Sequence, residues 1–77
     1  MKQDKISQKI SIIRSEFEQR KTEYDCLISI TLYDGTFFET NFENLKNFPD
    51  DKYICLDDEE YIYYCDIKNI EPSYVPR

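Results

Sequence analysis

A single glycine, Gly35, separates two segments in which apolar and polar residues alternate. Ile28, Ile30 and Leu32 precede it at every second position, which is the period of a half-buried β-strand. Glycine adopts positive φ freely, and an Asp-Gly pair between alternating segments is a strong signal for a β-hairpin. The sequence therefore predicts a hairpin over 28–42, with the three aliphatic residues turned inward, around which the rest of the chain is organised.

The residues before this hairpin are predicted to form one helix over 1–25. Ile6, Ile10, Ile13 and Phe17 are spaced four, three and four residues apart, which places them in one stripe along a helix. At 1.5 Å per residue such a helix is on the order of 35 Å long, which is more than a small sheet can cover. The stripe is expected either to pack on its own chain or to mediate self-association with a second copy.

The residues after the hairpin are predicted to complete its sheet with short strands. Residues 43–51 are expected to be a connection, with Leu45 and Phe48 turned inward. Three further strands are expected, over 53–56, 61–65 and 66–70. The two prolines beyond them are expected to end the regular structure, which leaves 73–77 as a tail.

This order predicts a mainly β fold with one N-terminal helix. A helix followed by five short antiparallel strands is typical of a small, partly open barrel of the Sm-like or SH3-like type. A chain of 77 residues is short enough for a single domain over 1–77. Within it, the helix is expected at 1–25 and the barrel at 26–72.

The hairpin formed by the third and fourth strands determines which tyrosines are exposed. If its turn is symmetric, Leu56 lies opposite Tyr61. The same register places Ile54 opposite Tyr63. Both faces of the hairpin are then apolar, so one face is expected to meet the core. The other face is expected to be covered by the helix or to present tyrosines to a partner.

The cysteines predict a reducing compartment. Cys26, Cys55 and Cys65 are far apart, and the chain contains no histidine, which excludes the mixed Cys/His zinc sites. The predicted register also keeps Cys55 and Cys65 from forming a disulfide. No stretch approaches the roughly 20 apolar residues of a membrane span. We therefore expect a cytoplasmic protein with reduced thiols and no membrane partner.

The sequence contains no catalytic constellation. General acid–base catalysis relies most often on histidine, and one glycine cannot build a phosphate-binding loop. The acidic run 57–60 could attract Ca²⁺ or Mg²⁺, but it lacks the alternating oxygen ligands of a calcium loop. We expect no enzyme, no bound metal and no cofactor, so the function to look for is binding.

The negative charge of the chain favours a basic partner. Residues 26–77 carry four Lys/Arg against eleven Asp/Glu, which is a net charge of −7. Such a body repels the phosphates of nucleic acids and attracts basic proteins, although acidity alone also keeps a small protein soluble. The strand tyrosines could stack on bases, but no basic groove accompanies them.

The second hairpin is the predicted partner-binding surface. It places four consecutive carboxylates beside tyrosines, which together suit the basic surface of an RNA-binding protein. The predicted residues are Asp57, Asp58, Glu59, Glu60, Tyr61 and Tyr63.

Several short motifs resemble the Sm-like barrel pattern, and in particular the Rof family of small acidic inhibitors of the transcription-termination factor Rho. These motifs are Leu32-Tyr33-Asp34-Gly35, Leu45, Tyr53-Ile54-Cys55-Leu56 and Asp66-Ile67-Lys68-Asn69-Ile70. The resemblance covers residues 26–72. It implies a protein that occupies the primary RNA-binding surface of Rho and so blocks termination.

The chain departs from both patterns at defined positions. Sm proteins that bind RNA as rings usually carry a second glycine shortly after the first, where this chain has Thr40. Their basic residues near the fourth strand are replaced by Tyr64, Cys65 and Asp66. Rof proteins carry an acidic cluster before the first strand, and here only Glu16 keeps the acid. Glu16 is therefore added to the predicted partner-binding residues.

The predicted function is an acidic inhibitor that binds a basic nucleic-acid-binding protein, with Rho as the first candidate, and makes no direct contact with nucleic acid. A phage or mobile-element inhibitor of a host nuclease or defence complex is an alternative. Small size, acidity and the lack of catalytic residues suit that role equally. A further alternative is an Sm-like RNA-binding protein.

Overall fold

The computed structural model describes residues 5–57 and 59–77, and it is mainly β with one N-terminal helix. Its elements are helix α1 (Lys5–Arg20) and strands β1 (Tyr24–Leu32), β2 (Phe37–Asn41), β3 (Leu45–Phe48), β4 (Tyr53–Leu56), β5 (Glu60–Tyr63) and β6 (Ile67–Pro76). Short 3-10 turns, Phe42–Asn44 and Tyr64–Asp66, follow β2 and β5. The strands form two antiparallel sheets: the first sheet, ordered β2-β1-β6, and the second sheet, ordered β3-β4-β5. Among these elements there is no helix of the length and apolarity that a membrane span requires.

The predicted first hairpin is confirmed, and it joins β1 to β2. The N–H of Gly35 donates to the Leu32 carbonyl at 3.1 Å, and the N–H of Leu32 donates to the Thr36 carbonyl at 2.8 Å. Gly35 has a φ of 93°, which L side chains rarely adopt. The Asp34 carboxylate accepts the N–H of Thr36 at 2.8 Å, a side-chain bond that fixes the turn.

Helix α1 is shorter than the predicted 1–25, and residues 1–4 of that range lie outside the described residues. The helix ends at Arg20 because the chain must become extended at Tyr24 to pair with β6. Ile10, Ile13 and Phe17 are buried in the chain's own core. The stripe that motivated self-association is therefore already used within the molecule.

Strand β6 includes residues 73–76, which were predicted to belong to a tail. The prediction that the prolines end the strand is wrong, because β6 is an edge strand and β1 is its one partner among the described strands. The N–H of Arg77 donates to the Glu23 carbonyl at 3.0 Å, so odd-numbered residues of β6 face β1. Pro72 and Pro76 are even-numbered, and the N–H groups that they lack would point away from β1.

The predicted connection over 43–51 contains strand β3, so the described residues form six strands where five were predicted. The 3-10 turn Phe42–Asn44 redirects the chain, so β2 and β3 pair in different sheets. Leu45 is buried as predicted, but Phe48 is 37% exposed. Side chains alternate along a strand, so a residue three positions after an inward leucine must face outward.

The core gathers side chains from α1 and from both sheets. Phe17 and Phe42 meet edge to face, with ring centroids 5.6 Å apart. Ile28 and Ile30 are fully buried as predicted, whereas Leu32 is only half-buried. The buried cluster is Ile10, Ile13, Phe17, Cys26, Ile28, Ile30, Phe42, Leu45, Ile54, Leu56, Ile62, Tyr64, Ile67 and Ile70.

Candidate partner-binding surface

The second hairpin, β4 with β5, is one residue out of the predicted register. Leu56 lies opposite Glu60 instead of Tyr61. The turn begins at Asp57 and ends at Glu59, and the N–H of Glu59 donates to the Leu56 carbonyl at 3.0 Å. Asp57 takes a positive φ of 54° to close it. A slip of one residue moves every side chain of a strand to the opposite face, so the predicted faces of this hairpin are wrong.

The corrected register separates aliphatic from aromatic side chains. Ile54, Leu56 and Ile62 are buried in the core. Tyr61 and Tyr63 point outward and are 59% and 56% exposed. Two of the predicted partner-binding residues therefore lie at the surface, where a partner can reach them.

Four rings form a continuous cluster on the outer face of the second sheet. We call Phe48, Tyr53, Tyr61 and Tyr63 the aromatic patch. Tyr53 lies at its centre: the Phe48 ring stacks on it with centroids 4.9 Å apart. The rings of Tyr61 and Tyr63 meet it edge-on at 5.5 and 5.8 Å. These are the geometries that aromatic pairs prefer, so the rings support one another's positions.

Phe48 and Tyr53 belong to this patch but were not among the predicted site residues. The signal for Phe48 was present in the sequence, since it follows the inward Leu45 at an odd spacing. Tyr53 could be found only through the register, because it lies opposite Phe48 on one side and Tyr63 on the other.

Cys55 is buried under the outer face of the second sheet. It alternates with Tyr53 along β4 and lies opposite Tyr61, yet it is only 3% exposed and is not part of the main core cluster. Neighbouring side chains on the outer face must therefore cover it. All three cysteines are free, with Cys26 also buried and Cys65 exposed. Burial raises the pKa of the Cys26 thiol.

Carboxylates flank the aromatic patch at both ends. At one end, Asp57, Glu59 and Glu60 are exposed in the acidic turn, residues 57–60; the predicted site residue Asp58 lies outside the described residues. At the other end, the pKa of Tyr53 is raised, first by burial of its phenol and then by the charge of Asp51. The tyrosine at the patch centre is therefore neutral at pH 7.

An open cleft of about 200 Å³ lies between β2 and the acidic turn. Phe38 and Leu56 give it an apolar part, and Glu39 adds to the carboxylates of the turn. The Thr40 hydroxyl lies 3.4 Å from the Asp57 carboxylate. Across residues 5–57 and 59–77, no group of three or more Cys, Asp or Glu side chains is placed to hold a metal ion.

Glu16 belongs to a different surface from the other predicted site residues. It lies on α1, where its carboxylate accepts a hydrogen bond from the Tyr74 hydroxyl at 3.1 Å. It also pairs with Arg20 at 3.7 Å. Tyr74 is on β6 in the first sheet, and burial and this hydrogen bond both raise its pKa. The structure thus groups Asp57, Glu59, Glu60, Tyr61 and Tyr63 but does not bring Glu16 to them.

We compared the chain with protein-family models, with curated proteins and with solved structures, and none of them matches. The candidate surface is therefore interpreted from its own geometry.

Proposed function

We propose that this chain is an acidic protein-binding module that occupies the RNA-binding surface of a basic protein, with the transcription terminator Rho as the first candidate partner. The observation that supports it is the exposed aromatic patch beside the acidic turn. Large aromatic side chains anchor protein interfaces, and charges at the rim steer a complementary partner. Both features occur on one continuous surface of a body with net negative charge.

The strand order supports the finer proposal of an Sm-like or SH3-like barrel. Only the 3-10 turn Phe42–Asn44 separates β2 from β3, and each pairs in a different sheet. We therefore interpret them as two halves of one bent strand, and under this interpretation the described strands correspond to the five that a barrel of this type contains. A bent strand shared by two sheets is how small barrels turn their corners. This architecture is the one that the resemblance to Rof requires.

A protein partner fits this surface better than RNA does. The rings of the aromatic patch could stack on bases, but affinity for nucleic acid comes mainly from cations that contact phosphates. Lys46 lies on the same face of the second sheet, opposite Cys55. The positive charge of Lys46 is outnumbered by the negative charges of Asp51 and of the carboxylates in the acidic turn. The net field at the patch therefore repels a phosphate backbone.

The proposal predicts distinct kinetic effects of charge and aromatic substitutions. The Glu59→Lys, Glu60→Lys double variant should slow association with purified Rho by about tenfold at low salt, because rim charges act on the on-rate. Tyr61→Ala should raise the dissociation rate by about 30-fold, since a desolvated aromatic anchors a complex. The measurement is surface-plasmon resonance at two ionic strengths.

The matched control is Glu18→Lys with Glu23→Lys, which changes the net charge equally at the end of α1. Equal slowing by both double variants would place the partner surface elsewhere. Failure of Rho to bind the unaltered chain would contradict the choice of Rho. Salt-dependent retention of single-stranded RNA by the unaltered chain would instead favour the RNA-binding alternative.

A further inference from the structure

We propose that the partner adds an extended, basic segment to the free edge of β5, as a fourth strand of the second sheet. The inference rests on the proposed function, because it states how a basic partner engages that same surface. In this mode of recognition, main-chain hydrogen bonds give affinity and every second side chain gives specificity.

Among the described residues, no strand pairs with one side of the β5 backbone. The N–H of Tyr64 donates to the Lys52 carbonyl at 2.9 Å, and in the same register Ile62 lies opposite Ile54. Alternate residues of an antiparallel pair face the partner strand, so the even-numbered residues of β5 face β4. Tyr61 and Tyr63 therefore point their N–H and C=O groups away from β4. Within the described part of the chain, β4 is the only strand that pairs with β5.

The edge of β5 lacks the protection that the edge of β6 has. Pro72 and Pro76 occupy outward-facing positions of β6, where they remove the N–H groups that a further strand would need. Strand β5, Glu60–Tyr63, contains no proline, no lysine and no bulge. An exposed edge without such devices is a template for pairing with another chain. The two edges therefore differ in a way that leaves β5 available.

The surroundings of this edge select a basic segment. Tyr61 and Tyr63 stand beside the incoming strand and can contact its side chains at every second position. Glu59 and Glu60 lie at one end of β5, and Asp66 is exposed just beyond the other. These carboxylates favour lysine or arginine in the added strand. A second copy of this chain would bring a net charge of −6 against the same acids, which makes it the poorer occupant.

The first test uses the full chain, labelled with ¹⁵N, and a short synthetic peptide of alternating lysine and valine. When the peptide is bound, hydrogen exchange at the amides of Tyr61 and Tyr63 should slow by about tenfold or more, because both N–H groups become bonded. The amide of Ile62 should change little, since it already faces β4. A peptide with glutamate in place of lysine should not bind.

The second test compares two substitutions at one position. Tyr61→Pro and Tyr61→Val both remove the ring, but only proline removes the outward N–H, and both leave in place the N–H and C=O groups of β5 that face β4. The basic peptide should bind Tyr61→Pro about tenfold more weakly than Tyr61→Val, which corresponds to one unmade hydrogen bond. The exchange measurement on the unaltered chain needs no variant, so it stands even if Tyr61→Pro fails to fold.

Several outcomes would overturn strand addition. These are absence of binding by the basic peptide, unchanged exchange at Tyr61 and Tyr63 when it is bound, or equal affinities of the two Tyr61 variants. If hydrogen exchange at Tyr61 and Tyr63 slows as the concentration of the chain itself is raised, the edge of β5 pairs with a second copy of the chain. If Rho binds both Tyr61 variants with equal kinetics, the proposed function survives and strand addition fails. If the peptide protects both amides but the charge-reversed variant binds Rho unchanged, the proposed function fails separately.

Discussion

Tyr53 is the residue on which the aromatic patch depends, because its ring is the one that contacts the other three. It lies on the central strand of the second sheet, between β3 and β5. Its burial is enough to raise the pKa of its phenol. It lies two residues before Cys55 on the same face, so together with Tyr61, which lies opposite Cys55, its ring is placed to cover that thiol.

Tyr53→Ala should make Cys55 reactive. Removal of the ring opens the outer face above the thiol, and accessible thiolates react faster than buried ones. In the native protein, a thiol reagent should modify Cys65 at once and Cys55 slowly; in Tyr53→Ala the rate at Cys55 should rise severalfold. Cys65, which is exposed in both proteins, is the internal control. An unchanged rate at Cys55 would show that other groups cover it.

Ile30→Ala should destabilise the protein more than Leu32→Ala. Ile30 is fully buried, so its truncation should lower the free energy of unfolding by about 2–5 kcal/mol. Leu32 is half-buried, so its truncation should lower the free energy of unfolding by less than the truncation of Ile30 does. Urea denaturation monitored by circular dichroism measures both. A cost at Leu32 equal to that at Ile30 would contradict the burial described here.

The alternation of apolar residues was sufficient to predict Ile28 and Ile30 as core residues, but not to predict how far that face extends. The register of β1 with β6 shifts between Thr31 and Leu32, so the regular alternation of the pairing is interrupted where the sequence pattern continues. This irregularity depends on β6, which lies far along the chain. Local periodicity contains no information about it.

Among the elements, α1 shows most clearly that local sequence determines the buried face of a helix, whereas tertiary pairing determines where the helix ends. The spacing of Ile10, Ile13 and Phe17 predicted the buried stripe correctly. The predicted end of the helix was wrong, because the chain beyond Arg20 pairs with β6 instead of continuing as a helix. Such long-range pairing overrides local helix propensity.

Phe17→Ala and Ile12→Ala provide a matched test of the orientation of α1. Phe17 is buried against Phe42, and its truncation should lower the free energy of unfolding by about 3–5 kcal/mol. Ile12 lies on the same helix but is 59% exposed, so its truncation should change stability by less than about 0.5 kcal/mol. Chemical denaturation at one pH compares them directly. Similar losses would mean that the helix presents a different face to the core.

The second hairpin shows why register is hard to predict. An acidic run of four residues permits a two-residue or a three-residue turn, and the choice depends on whether Asp57 takes positive φ. Aspartate tolerates that conformation better than most residues, but composition does not require it. The acids and tyrosines of the site were therefore predictable, whereas the face on which the tyrosines lie was not.

For the molecule as a whole, the ion pair between Lys9 and Glu71 connects α1 to the first sheet at the surface. The Lys9 ammonium lies 2.7 Å from the Glu71 carboxylate and 3.2 Å from the Asn69 side-chain oxygen. The hydrogen bond and the charge of Lys9 hold the pKa of Glu71 below its ordinary value of 4.5. This pair links two elements that are distant in the sequence.

Stability should therefore fall with acidification through this pair. Such a carboxyl group has a lower pKa in the folded state than in the unfolded state. It stabilises the fold at pH values above its unfolded-state pKa, and this stabilisation is lost as the pH falls through its folded-state pKa. The unfolding free energy of the native protein should decline below about pH 4.5, through the lowered pKa of Glu71. The unfolding free energy of Glu71→Gln should decline less steeply with falling pH than that of the native protein. Lys9→Gln should reduce this pH dependence to the same extent. Curves parallel to that of the native protein would show that the pair is not formed in solution.

The crowding of tyrosines in the aromatic patch also gives the protein an optical signature. The chain has seven tyrosines and no tryptophan, so phenol rings dominate its intrinsic fluorescence. The ring centroids of Tyr61 and Tyr63 lie 5.5 and 5.8 Å from that of Tyr53, close enough for excitation to transfer between the rings before emission. We therefore expect emission from this cluster to be depolarised even though the rings are held in place. A molecule that binds to the aromatic patch should change this emission, so binding can be followed by intrinsic fluorescence without an attached label.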